Sequence, residues 1–153
     1  MEVQHLGRYR IACHPDRFSV ECPKGSTKFS GLAASKSPKL YVASSQGEPI
    51  YVGITRQPVG TRLRYGWKAN GKHGYHGYAW RHEFAAVDLD IWCHTNAIDR
   101  DCLSVETVEA EVVYLIRKAG DWPRFQTEIH FRRATAAHRS IAAQIAATYG
   151  IGA

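Results

Sequence analysis

Between Pro49 and His82 the chain carries no Asp or Glu, yet it holds Arg56, Arg62, Arg64, Lys68, Lys72 and Arg81. Tyr51, Tyr65, Trp67, Tyr75, Tyr78 and Trp80 are interleaved with these cations, and Thr55, His73, His76 and His82 add further donors. Cations at that density attract phosphates and release condensed counterions, while aromatic faces stack on bases. The chemistry expected of the stretch is contact with nucleic acid, with Arg56, Arg64, Tyr65, Lys68, Lys72 and His76 as the candidate contacts. Composition alone allows a second reading equally, a solvated basic face with its aromatics in the core. Membrane-surface binding fits less well, because Gly66, Gly71, Gly74 and Gly77 interrupt any amphipathic helix there.

A second set of chemistry-bearing residues is the cysteines. Cys13-His14 is followed by Cys22, and Cys93-His94 by Cys102, with the same nine-residue step. Six soft ligands could hold zinc in a nucleic-acid-binding or interaction module. Structural zinc sites usually pair cysteines two to four residues apart, which this chain does not do. Ordinary buried core cysteines are the favoured expectation.

The elements that must position these groups belong to one globular domain. The chain has 153 residues, 44% of them hydrophobic, enough for a core of its own. Lys and Arg total 20 against 14 acids, a net charge of +6 that permits a polyanionic partner. No apolar run approaches the ~18 residues of a spanning helix, and the opening MEVQHLGRYR has no secretory h-region. A reduced, cytoplasmic setting without membrane contact is expected.

Lys39–Ser45 and Pro49–Thr55 are β-rich runs joined by Gln46-Gly47-Glu48, a hairpin signal. Pro58 suits a first helical turn, with Val59, Leu63 and Trp67 following at i, i+4 and i+8. Residues 70–78 read as a loop. Phe84–Cys93 alternates Val87, Leu89 and Ile91 against Asp88 and Asp90, as a half-buried strand does. Ser104 is the expected cap of a helix to about Ala119, with Val108, Val112, Leu115 and Ala119 as its buried stripe. A last helix is expected over residues 134–148, with Ile141, Ile145 and Tyr149 in line. Residues 1–37 read as an irregular or hairpin-bearing extension packed on the core, and 38–153 as the main domain. The fold class is α/β, with a small, mainly antiparallel sheet of about three core strands flanked by helices.

The hairpin carries a family resemblance. Leu40-Tyr41-Val42 and Tyr51-Val52-Gly53 set two tyrosines ten residues apart, and YVASSQGEPIYVG resembles the nuclease domain of the bacterial excision-repair incision subunit. Thr61-Arg62-Leu63 matches the Arg-bearing helix that follows, and Ala110-Glu111 the helix with a metal-binding Glu. Pro123-Arg124-Phe125-Gln126 matches the family's Pro-x-Tyr-Asn-like strand. Residues 38–131 are therefore similar to the GIY-YIG nuclease superfamily, including its restriction endonucleases. The first motif has Lys39 and Leu40 in place of glycine and isoleucine, Gln126 stands for Asn, and Gly66 occupies a place where some restriction members carry His or Tyr.

The resemblance implies a metal-dependent endonuclease hydrolysing phosphodiester bonds in DNA. Tyr41 would be the general base with Tyr51 beside it, Arg62 would hold the scissile phosphate, and Glu111 would bind one Mg²⁺ or Mn²⁺. Gly53, Thr55 and Gln126 would support them, and no organic cofactor is implied. The chemistry is coherent: a phenol of pKa ~10 acts as a base only where nearby cations favour its phenolate. A guanidinium fork suits paired phosphate oxygens. Mg²⁺ takes hard oxygen ligands and stabilises a leaving oxygen. Periodicity leaves Glu109 and Glu111 as alternatives on opposite sides of the stripe, and the spacing to Leu115-Ile116 favours Glu111. A homodimer would permit cuts in both strands of a symmetric site. The alternatives are a non-cleaving nucleic-acid-binding protein on the same scaffold and the zinc-stabilised module.

Overall fold

A computed structural model of the chain describes every residue except 23–24, 26, 73–75, 98–101, 127–128 and 153. Five strands form one sheet: β1 Val3–Cys13, β2 Phe18–Glu21, β3 Lys39–Ser45, β4 Glu48–Thr55 and β5 Ala86–His94. Their spatial order is β2-β1-β5-β3-β4, and every pairing is antiparallel. Three helices flank it, α1 Val59–Lys68, α2 Leu103–Lys118 and α3 Ala136–Ala147, with short 3₁₀ turns at Gly31–Ala34 and Ala79–His82. None of these helices is long and apolar enough to cross a membrane. The α/β class and the antiparallel sheet are as expected; the three-strand core is not, because β1 and β2 belong to the same sheet.

The alternation of each strand makes two cores. On one face Tyr9, Ile11, Tyr41, Leu89 and Ile91 pack under Val59, Leu63 and Trp67 of α1. On the other, Leu40, Val42, Val52 and Trp92 pack under α2 and α3. The result is three layers, with α1 and the two 3₁₀ turns on one side and α2 and α3 on the other.

The β3–β4 turn is tighter than expected. Ser45 pairs with Glu48, so only Gln46 and Gly47 connect the strands. Both have positive φ, 52° and 79°, as a type I′ turn requires. In α1, Val59, Leu63 and Trp67 are buried as the spacing predicts, and Pro58 precedes the first helical residue. Helix α2 begins two residues earlier than expected, at Leu103 with Cys102 as its N-cap, so Ser104 lies inside the first turn and is not its cap. The stripe differs as well: Val105, Val108, Val112, Val113 and Ile116 are buried, while Leu115 is only half-buried and Ala119 is exposed. Thr135 and His138 form a reciprocal capping box on α3, which therefore starts at Ala136.

Residues 123–126 do not form a strand. They run along the outer edge of β4, where the Phe125 amide donates to the Ile50 carbonyl (2.9 Å). The Val52 amide donates to Oε1 of Gln126, also at 2.9 Å. A side chain thus supplies what a further strand's backbone would, and these edge groups of β4 are satisfied.

Candidate nucleic-acid site

The two tyrosines of the hairpin share one face because both positions are of the same parity relative to the register. Tyr41 lies opposite Gly53, and Tyr51 opposite Ala43. Each ring therefore faces a small residue across the ladder, and the two lie on a diagonal with centroids 6.1 Å apart. Gly53 is required: a Cβ there would sit 2.5 Å from Cζ of Tyr41 and 2.6 Å from its hydroxyl.

Tyr78, from the far side of the Gly-rich stretch, completes the cluster. Its hydroxyl lies 2.8 Å from that of Tyr41, and its ring stands edge-on to Tyr51 at 5.6 Å. A Cβ on Gly66 would fall 2.2 Å from the Tyr78 ring, so a glycine in the middle of α1 is what admits this tyrosine. The guanidinium of Arg62 lies 5.1 Å from the centre of the Tyr78 ring and 5.7 Å from that of Tyr65. Arg62 therefore touches the same ring that Tyr51 touches. The buried guanidinium of Arg81 holds the loop from behind, donating to the carbonyls of Gly66, His76, Tyr78 and Ala69.

Sequence reasoning placed Tyr78 only among the aromatics of the basic stretch, took Gly66 only as a helix interruption and a departure from the motif, and brought neither to the tyrosine pair. The available signal was the glycine itself, since an interior helical glycine costs about 1 kcal/mol against alanine and marks a close approach.

Burial separates the two motif tyrosines. Tyr41 is 1% exposed with its hydroxyl turned to Tyr78, whereas Tyr51 is half-buried. A phenol with that little exposure does not meet a water held on a substrate phosphate, so the general-base role expected of Tyr41 does not suit its surroundings. The supporting residues lie close by. Oγ1 of Thr55 accepts from the Gln57 amide at 3.0 Å and turns the chain from β4 into α1, and Gln126 holds the Val52 amide.

Glu111 is not brought to this cluster. It lies on α2, over the opposite face of the sheet, half-exposed and close enough to α3 that its charge favours protonation of His138. Burial, the larger influence, nevertheless lowers the pKa of that imidazole. Glu109 is 7% exposed and lies about 40° from the centre of the observed stripe, with Glu111 about 120° away at ~100° per residue. The shifted stripe makes Glu109, and not Glu111, the carboxylate turned into the protein.

The remaining cations divide between the two flanks of α1. Tyr65, 61% exposed, lies on the helix's outer crest. Arg64 and Lys68 lie beyond it, over a cleft shared with β2. Arg56 is exposed just before the helix, and Lys72 and His76 are exposed in the following loop. His73, Gly74 and Tyr75 lie outside the described residues.

Lys39, where the first motif would carry glycine, is wholly buried. Its ammonium donates to the carbonyls of Ser35 (2.7 Å) and Ser37 (2.6 Å), and desolvation lowers its pKa. Cys93 lies opposite it on β5. Burial pushes the Cys13 thiol up to about 11. Among the described residues no three His, Cys, Asp or Glu side chains gather as a metal-holding group. No family model, curated protein or solved structure matches this chain.

Proposed function

We propose that the chain is a metal-dependent endonuclease of GIY-YIG type that hydrolyses phosphodiester bonds in DNA. The observation that carries this reading is the convergence of Tyr51, Tyr41 and Arg62 on Tyr78, from three segments in the order the resemblance implies. Arg62 would bind two oxygens of the scissile phosphate through its fork. Tyr51, the half-exposed phenol, would take the proton of the attacking water. Tyr41 is then a positioning residue, fixing Tyr78 and through it the ring against which Arg62 lies.

A hard divalent cation is implied by the resemblance, and the carboxylates present decide how it would fit. Glu111 does not fit, because it lies near α3 on the far side of the sheet. Glu109 is turned inward, but α2 packs over β3 and β4 on that same far face, so Glu109 does not fit either and no step is routed through a metal.

The test is incubation of purified protein with supercoiled plasmid in Mg²⁺ or in EDTA. Nicking or discrete linear products are expected with Mg²⁺ only. Arg62→Ala should lower the rate about 10²-fold or more, as loss of a phosphate-side donor does. Tyr51→Phe should do likewise. Cleavage unchanged in both variants would refute the assignment. A non-cleaving nucleic-acid-binding protein is the second reading, favoured by the burial of Tyr41; metal-independent, salt-sensitive retention of DNA in a gel shift, without products, would establish it.

A further inference from the structure

A cleft of about 720 Å³ lies away from the tyrosine cluster. It opens between β2, the segment around Phe29 and the other flank of α1. Its walls combine two kinds of group. Phe18, Phe29 and Trp67 give it an aromatic lining, and Arg17, Arg64 and Lys68 bring positive charge to it. Lys28 adds another cation, and Asp16 is the acid among the lining residues.

The aromatic lining is fixed in place. Trp67 packs against Phe18 with centroids 4.8 Å apart, and its indole N–H donates to the His14 carbonyl at 2.8 Å. Phe29 packs on Tyr9 at 4.7 Å. Phe18 and Phe29 remain half-buried, so each keeps part of its ring open. Gly60 lies beside this lining: a Cβ there would be in near-ordinary contact with the Arg64 guanidinium at 3.3 Å and the Phe29 ring at 3.5 Å.

We propose that this cleft is a nucleotide pocket, taking one unstacked nucleotide of a DNA strand with its base on Phe18 and Phe29 and its phosphates on Arg17, Arg64 and Lys68. The volume lies within the ~300–1,000 Å³ range of small-molecule pockets. A purely apolar ligand would not use the positive charge that Arg17, Arg64 and Lys68 bring to the cleft. A bare polyanion would leave the aromatic lining unused, whereas a nucleotide uses both. The helix also supplies a route between this pocket and the cluster. At ~100° per residue, Arg64 and Lys68 lie on one flank of α1, Tyr65 on the exposed crest and Arg62 on the other flank. A strand crossing the crest would touch Tyr65 on its way from the pocket to Arg62.

The inference rests on the nucleic-acid reading above, and the experiment separates the two. An oligonucleotide with a single 2-aminopurine is titrated into the intact protein in EDTA, as a single strand and as a duplex. Stacking on the phenylalanines should quench the probe. Arg64→Glu with Lys68→Glu should weaken binding about tenfold or more and lower the salt slope by about 2. Phe29→Leu should remove much of the quenching while leaving most of the affinity, and circular dichroism checks that both variants keep their fold. An unquenched probe, or an Arg64→Glu/Lys68→Glu protein with unchanged affinity and salt slope, would overturn the pocket. If Arg62→Ala still abolishes cleavage in that case, the nuclease reading stands without it. Failure of the wild-type protein to bind either form would refute both.

Discussion

The residue that best ties the hairpin's sequence to its geometry is Gly53. Its backbone is ordinary extended strand, so glycine is not there for a left-handed conformation; it is there because the Tyr41 ring occupies the volume a Cβ would take. Gly53→Ala should therefore destabilise the protein by about 1–3 kcal/mol, the usual cost of overpacking a filled core. Replacing Tyr41 by Leu removes the aromatic hydroxyl end that collides. In a double-mutant cycle the alanine should then cost much less in the Tyr41→Leu background than in the wild type, read from urea unfolding. Additive losses would mean that the ring and the glycine do not share this space. Gly66 has the same relation to Tyr78, and both glycines are places where the sequence departs from its element's preferences to admit a tyrosine.

At the scale of the element, β5 shows how far alternation carries and where it stops. Val87, Leu89 and Ile91 are buried on one face as read, but Asp90, expected on a solvated face, is wholly buried. Its position in the sheet, between β1 and β3, decides this, and strand order is not written in one strand's alternation. The carboxylate is held by the Arg8 guanidinium (2.9 Å), the His5 imidazole (3.1 Å) and the Tyr149 hydroxyl (2.8 Å). Removing one member of such a buried set leaves the others uncompensated, so Asp90→Ala should cost about 3 kcal/mol or more. Urea unfolding is the measurement, and a loss below 1 kcal/mol would contradict the network. Helix α2 tells the same story. Its existence and length were legible from periodicity, but the side of the helix that faces inward differed by enough to exchange Glu109 for Glu111. The β3–β4 hairpin and α1 were legible to within a residue because their signals are local: a short glycine-bearing connection, read one residue too long, a proline and an i, i+4, i+8 stripe. Tyr78 was not, since a loop brings it back to a helical glycine 12 residues earlier.

For the whole molecule, the decisive feature is that the chain's first residues pair with a strand some eighty residues later. β1 runs antiparallel to β5 from Val3 opposite His94 to Ala12 opposite Ala86, with one irregularity between His5 and Gly7. Tyr9 and Ile11 enter the α1-side core beside Leu89 and Ile91, and Arg8 reaches Asp90 on the other side. An N-terminal segment of mixed polarity gave little sign of this, because a strand in a hairpin with β2 and a central strand beside β5 have the same local requirements. Removing residues 1–37 would therefore strip a central partner from β5, expose its backbone N–H and C=O groups, and leave Asp90 without two of its donors. The fragment 38–153 should show no cooperative thermal transition, while full-length protein melts in a single step. A graded variant keeps the argument testable if the fragment aggregates: Ile11→Ala, at a fully buried position of β1, should cost about 2–5 kcal/mol. A cooperative melt of the fragment close to that of the full chain, together with a near-neutral Ile11→Ala, would mean that β1 is an accessory edge. Loss of the transition in the one and a cost of that size in the other would make the first strand part of what holds β5, and through it β3 and Tyr41, in register.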